Sequence, residues 1–274
     1  MANAVAGAFD IEPFFHHSSF IIHRLRYQRP VVRSADKSRQ DGQPAYVLHS
    51  YPFRETSLII ESFTRDRGRI ALVARGARRP KSAVRGVLLA FQPLLLSWSG
   101  KTDLRTLHKA EWEGGYMPLK GLSLICGFYL NELLLKLLPR DDPHEQLFAV
   151  YRETLGALGR NDGHAVTLRR FEKSLLRELG YGLMLDRDAE TDAPIRAELS
   201  YTYVMERGPV LQRGDGAQNG VQLTGQTLID MQSDNYTSAA SLQQSKVLMR
   251  ALINHHLCNK TLHTRQLLRD LQAL

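Results

Sequence analysis

A few groups of residues in this sequence have types that could do chemistry, and spacing decides among them. Ser99–Thr102 reads SGKT, the end of a phosphate-cradling loop. That loop needs a glycine five residues before the Gly-Lys glycine, so that backbone amides can wrap the phosphates. The position holds Leu95, inside an apolar run, so SGKT reads as a hairpin turn. His16–His17 and His255–His256 are adjacent pairs. Neighbouring residues point to different faces of a helix or strand, and neither pair has CxxC or HxxxH company, so neither reads as a metal site. Glu111 and Glu113 flank Trp112 with no sign of the burial that paired acid–base carboxylates require. No Ser/His/Asp or Cys/His arrangement emerges from spacing, nor a clustered Asp/Glu/His motif for two-metal chemistry.

Two basic groups remain. Arg169, Arg170, Lys173 and Arg177 recur at helical spacing, diluted by Glu172 and Glu178. They predict a solvated helix face, with contact to an acidic partner or DNA as the alternative. The run Arg67–Gly86, RGRIALVARGARRPKSAVRG, interleaves cations with Gly and Pro between two apolar runs. Gly76 and Gly86 allow close backbone approach, and arginine forks fit phosphates. The 274 residues carry 36 Lys/Arg and 28 Asp/Glu, a net charge of +8. Residues 44–121 hold 13 Lys/Arg against 6 Asp/Glu, while the other segments nearly balance. Between residues 65 and 85, eight cations face Asp66 alone. A localised excess of this kind favours a polyanionic partner such as nucleic acid.

Several elements must position these residues. AYVLHSY, SLIIESF, RIALVAR, PLLLSWS and LRTLHKA are five short strand-like runs separated by turn signals. Five strands in under 80 residues predict a small closed barrel of the OB type, because closure removes exposed edges. In the third strand Ile70, Leu72 and Ala74 share one face; Arg69, Ala71, Val73 and Arg75 share the other. From Leu119 onward the period turns helical. Leu122–Leu138 is apolar nearly all round and predicts a buried helix, too short and too interrupted by Asn131, Glu132 and Lys136 for a membrane span. DDPHE predicts a helix start with Asp142 as N-cap and Glu145 closing a capping box. A third helix spans about 164–179, with Gly180 as its C-cap. Residues 187–222 read as a hairpin and loop, and helices return at about 224–231, 238–257 and 262–271. Residues 1–43 end in the polar RSADKSRQDGQP and predict a disordered N-terminal extension. The first residues lack the charge and apolar pattern of a signal peptide. With Cys126 and Cys258 far apart, a reducing cytosolic setting is expected.

The segments VLHSYPFRETSLIIESFTRDRGRIALVARGARRPKS and FQPLLLSWSGKTDLRTLHKAE resemble the N-terminal domain of the RecO family. FYLNELLLKLLPRDDPHEQLFAVY and LRRFEKSLLRELGYGL resemble its helical domain. The resemblance begins near Val47, is weakest at 187–222 and does not cover residues 1–43. It implies an α+β multidomain protein: an OB-type barrel at 44–121, then an all-α domain at 122–274 with the small insertion. It implies a recombination mediator rather than an enzyme, with no cofactor. Such proteins bind single- and double-stranded DNA, anneal strands, and load RecA on DNA coated by single-stranded DNA-binding protein (SSB), together with RecR and in some settings RecF. A cytoplasmic, nucleoid-associated setting follows. Some members hold a four-cysteine zinc site after the third helix; residues 180–222 contain no cysteine, so none is expected here.

The DNA-binding residues expected are Arg54, Arg69, Arg75, Arg78, Arg79, Lys81 and Arg85. A slot for the acidic, apolar-ended SSB tail is expected on the helical domain, from Phe128, Leu135, Lys136, Leu138, Arg169, Lys173 and Arg177. The competing readings are a protein–protein adaptor with secondary DNA contact and a nuclease.

Overall fold

The computed structural model describes residues 39–115, 118–213, 219–258 and 260–272. The expected N-terminal extension lies outside the described residues up to 38. Residues 39–43 instead begin β1 (Arg39–Phe53), ahead of the expected boundary. It is followed by β2 (Ser57–Thr64), β3 (Gly68–Ala74), β4 (Leu94–Ser99) and β5 (Leu104–Trp112). These close in the order β1-β2-β3-β5-β4, with β3 and β5 parallel and the other neighbours antiparallel. The interior is apolar and alternates as predicted: Ile70, Leu72 and Ala74 meet Val47, Ile60, Leu94, Leu96 and Trp98.

The outward residues Tyr46, Leu48 and Phe63 are also buried, because they pack on the helical domain. Tyr46 meets Tyr151 at a centroid distance of 5.1 Å, and Phe63 meets Phe148 at 5.4 Å. Such aromatic pairs contribute about 0.5–1.5 kcal/mol each beyond their buried area. The helices are α1 (Gly121–Leu137), α2 (Glu145–Arg160), α3 (His164–Glu178), α4 (Gly225–Ser233), α5 (Ala239–His256) and α6 (His263–Gln272). The apolar α1 is the buried one, with Leu130, Leu133 and Leu134 fully covered. Its buried Asn131 donates to the Leu48 carbonyl at 2.8 Å and accepts from the Tyr151 hydroxyl at 2.5 Å. Barrel and bundle therefore share a core and a satisfied polar link.

The connection between α1 and α2 differs from expectation. Helix α2 starts at Glu145 with His144 at its N-cap and no side-chain cap, so the Asp142 capping box does not form. Residues 140–142 lie instead along the free start of β3. Arg140 bridges Arg69, the Asp141 amide donates to the Arg69 carbonyl at 3.0 Å, and Asp141 pairs with Arg105 at 2.6 Å. Strand β5 pairs with β3 only at Ala71–Val73, so this connection covers the edge that β5 leaves open. Gly68, at φ +64°, lies against the Asp142 backbone with no room for a Cβ. Tertiary pairing outweighed a local capping preference worth about 1 kcal/mol.

The third helix ends at Glu178 with Leu179, not Gly180, at its C-cap; Gly180, the next residue, has φ +85° and lets the Tyr181 amide reach back to the Leu176 carbonyl at 2.8 Å. Beyond it the expected hairpin is a three-stranded sheet, β7-β6-β8, formed by β6 (Ser200–Val204), β7 (Gly208–Leu211) and β8 (Val221–Thr224).

Candidate nucleic-acid interface

The basic run after β3 is a built lid on the barrel. Its Ala77 and Leu88 are buried in the barrel core, with Val84 and Val87 packed beside them. Ala83–Gly86 forms one 3-10 turn. Arg78, Arg79, Lys81 and Arg85 lie between these apolar anchors and Arg75 just ahead of them, and all five are exposed. The lid is fixed to the β1–β2 turn: the Arg78 amide donates to the Thr56 carbonyl at 2.9 Å, and its guanidinium lies 3.4 Å from the Glu55 carbonyl. Gly76, at φ +67°, supplies the bend that aims Arg79 back across the lid.

Between lid and turn lies an open groove of about 510 Å³. Arg54, Arg75 and Arg79 line it together with Phe53, Val73, Leu104 and Thr106. Its base is the outer face of β3 and β5, and its walls are the β1–β2 turn and the lid. Arg54 adopts φ +53°, a left-handed conformation uncommon for arginine, and its guanidinium carbon lies 5.2 Å from the centroid of the Phe53 ring. SGKT runs from the end of β4 into the β4–β5 turn, as its spacing predicted, and Leu104 at the start of β5 lines the groove.

Pairing sorts the cations. Among the described residues Arg54, Arg75, Arg78, Arg79, Lys81 and Arg85 have no carboxylate partner. Cations gathered without counter-charges repel one another, and a polyanion relieves that repulsion. Arg69 is the exception among the seven expected residues. Its side chain is only 15% exposed, pairs with buried Glu61 at 3.1 Å, and donates to the Leu138 carbonyl at 3.1 Å. Arg140 reaches the same Glu61 carboxylate. Arg69 therefore joins barrel to bundle, away from the groove. Its strand parity was readable from sequence; what covers that face was not. Sequence reasoning missed Phe53 and Leu104, whose only signal was their position at the ends of strands flanking turns.

The expected tail-binding residues are dispersed by the same criterion. Arg169 is buried and pairs with Glu172 at 2.8 Å; Lys173 donates to the Met231 carbonyl and pairs with Asp234 at 2.6 Å. Lys136 pairs with Glu132 at 2.9 Å and donates to the Thr261 carbonyl, fastening α1 to the start of α6. Leu138 is buried and Leu135 partly so. Phe128 and Arg177 remain exposed. The predicted solvated stripe is thus half internal. Burial of Glu172 pushes its carboxyl above the usual range; Arg169 and the Tyr129 hydroxyl at 2.6 Å oppose that shift.

No group of three or more His, Cys, Asp or Glu among the described residues is placed to hold a metal ion. The segment after α3 is organised by Asp188, which is 3% exposed. It accepts from the Glu190 and Thr191 amides at 2.8 Å, the Thr191 hydroxyl at 3.1 Å and the Leu211 amide at 2.6 Å. Among the described residues no helix is long and apolar enough to cross a membrane.

A closed OB-type barrel with a groove of uncompensated cations on its outer face is the arrangement by which oligonucleotide-binding proteins hold their ligands. Comparison with known proteins narrows the class. The family described as Recombination protein O N terminal matches residues 40–116, and Recombination protein O C terminal matches residues 120–259. The DNA repair protein RecO of Nitrosospira multiformis is 55% identical over 241 residues, covering 88% of this chain and 100% of the relative. Those of Aromatoleum aromaticum and Dechloromonas aromatica are each 52% identical, covering 88% and 87% of this chain and 100% and 99% of the relatives. This chain belongs to the RecO family of DNA repair proteins.

Proposed function

We propose that the protein is a non-catalytic recombination mediator that binds single- and double-stranded DNA through the barrel groove and anneals complementary strands. One observation carries this reading: six exposed cations without carboxylate partners, Arg54, Arg75, Arg78, Arg79, Lys81 and Arg85, gather on the barrel lid and turn, while Lys136, Arg169 and Lys173 of the helical domain pair internally. Phosphates of two strands neutralised at one surface no longer repel each other, which permits pairing without ATP or metal. The family relationship supports RecA loading on SSB-coated DNA with RecR, and with RecF in some settings, in the cytoplasm at the nucleoid. The helical domain is the proposed receptor for the SSB tail, with Phe128 and Arg177 as its accessible members. A tail peptide titrated calorimetrically into the full chain should bind, and Phe128→Ala should weaken it.

The deciding experiment is strand annealing in chelator without ATP, paired with fluorescence anisotropy across a salt series. Each phosphate neutralised on a single strand contributes about 0.7 to the log–log salt slope. Replacing Arg54, Arg75 and Arg79 together by alanine should flatten that slope by about 2 and slow annealing. Affinity should fall similarly for all sequences, since phosphate contacts carry no base information. An unchanged slope in a folded variant, with partner binding intact, supports the adaptor reading instead.

A further inference from the structure

The groove contains more than charge, and its apolar part needs a separate account. Phe53 is, among the described residues, the one aromatic side chain lining it, and Val73 and Leu104 add apolar surface; Leu104 is exposed. Phosphates give no reason to place apolar surface between Arg54, Arg75 and Arg79. Nor does the barrel core, which is complete without these side chains. A nucleobase does give a reason, because every base has an apolar face that stacks on an aromatic ring whatever its sequence.

We infer that Phe53, backed by Leu104 and Val73, is a seat for one unpaired base, which adds a preference for single strands to a groove whose cations hold the phosphates of either form. This rests on the groove being the DNA interface. The Arg54 guanidinium lies over the Phe53 ring. An arginine plane and an aromatic ring both stack on bases, so an entering base either slides beside Arg54 or displaces it toward a phosphate. Paired bases in a duplex have their faces covered by neighbours and cannot enter without unstacking. Phe53 is half-buried; the strongly exposed Trp112 of the barrel lies outside the groove with its Nε1 donating to Gln92 at 3.2 Å. It serves as the internal control.

The test compares two probes of equal length and equal phosphate number: an oligothymidylate and a fully abasic oligomer. Binding of each is measured by anisotropy on the full chain. The wild type should bind the base-bearing probe more tightly by at least about fivefold, the effect of one stacked base. Phe53→Leu keeps apolar bulk but has no π-face and should remove that preference; Phe53→Trp should keep it. Each variant is judged by the ratio between its own two affinities, so partial loss of folded protein does not mimic the result. Trp112→Ala should leave the ratio at its wild-type value. The inference is overturned if the wild type shows no preference, if Phe53→Leu retains it, or if Trp112→Ala abolishes it. The groove reading fails separately, through an unchanged salt slope when Arg54, Arg75 and Arg79 are replaced.

Discussion

Asp188 holds together the segment that follows α3, and its removal has a calculable consequence. Four donors converge on one carboxylate: three on Oδ1, from Glu190 and Thr191, and the Leu211 amide on Oδ2 at 2.6 Å. Asp188→Asn keeps an oxygen for the first three but sets an NH₂ group against the Leu211 N–H. That loses one charge-assisted bond, worth about 1.5–3 kcal/mol, and leaves a part-buried donor unmatched. The expected destabilisation is about 2–4 kcal/mol. For a folded unit of this size, about 2–4 °C of melting temperature accompanies each kcal/mol, so the transition should fall by roughly 5–15 °C. Hydrogen exchange should localise the loss to peptides covering 186–195 and 206–212. The pH dependence fixes the sign. Burial alone would raise the Asp188 carboxyl, but the amides of Thr191, Glu190 and Leu211 and the Thr191 hydroxyl outweigh it and hold it below the ordinary carboxylate range. The unfolded chain therefore binds the proton more readily. The stabilisation is complete above the ordinary aspartate value of about 4 and disappears as pH falls through the lower folded value. The gap between wild type and Asp188→Asn should accordingly be constant near neutrality and shrink in acid. A variant within about 0.5 kcal/mol of wild type at pH 7, or a gap that widens on acidification, would refute the assignment.

Two further outcomes follow from the fold. Gly68→Ala should destabilise the barrel–helix junction by several kcal/mol, because the new Cβ meets the Asp142 backbone and φ +64° is strained for alanine; urea unfolding measures this. Elemental analysis after dialysis against chelator should find no stoichiometric zinc, since a structural site needs about four clustered N/S ligands; one zinc per chain would count against Asp188 as the organiser of its segment.

The barrel, the buried α1, the ends of α3 and the localised charge were all readable from the sequence, because each is a local property. Alternation in β3 and the apolar circumference of α1 report burial directly, and clustered cations stay clustered in any fold. The later helices fell within two residues of their predicted bounds for the same reason. Three features were decided only by tertiary structure. The DDPHE capping box yielded to the open edge of β3, whose N–H and C=O groups needed partners more than one helix end did. Arg69 and Arg75 share a strand face and a charge, yet Arg69 is buried against Glu61 and Leu138 while Arg75 lines the groove; the difference lies in what packs beyond the strand. Arg169 and Lys173 likewise keep their helical spacing but neutralise Glu172 and Asp234. Spacing states which way a side chain leaves its own element. Whether a carboxylate, a carbonyl or open solvent meets it there is set by the neighbours that the fold delivers.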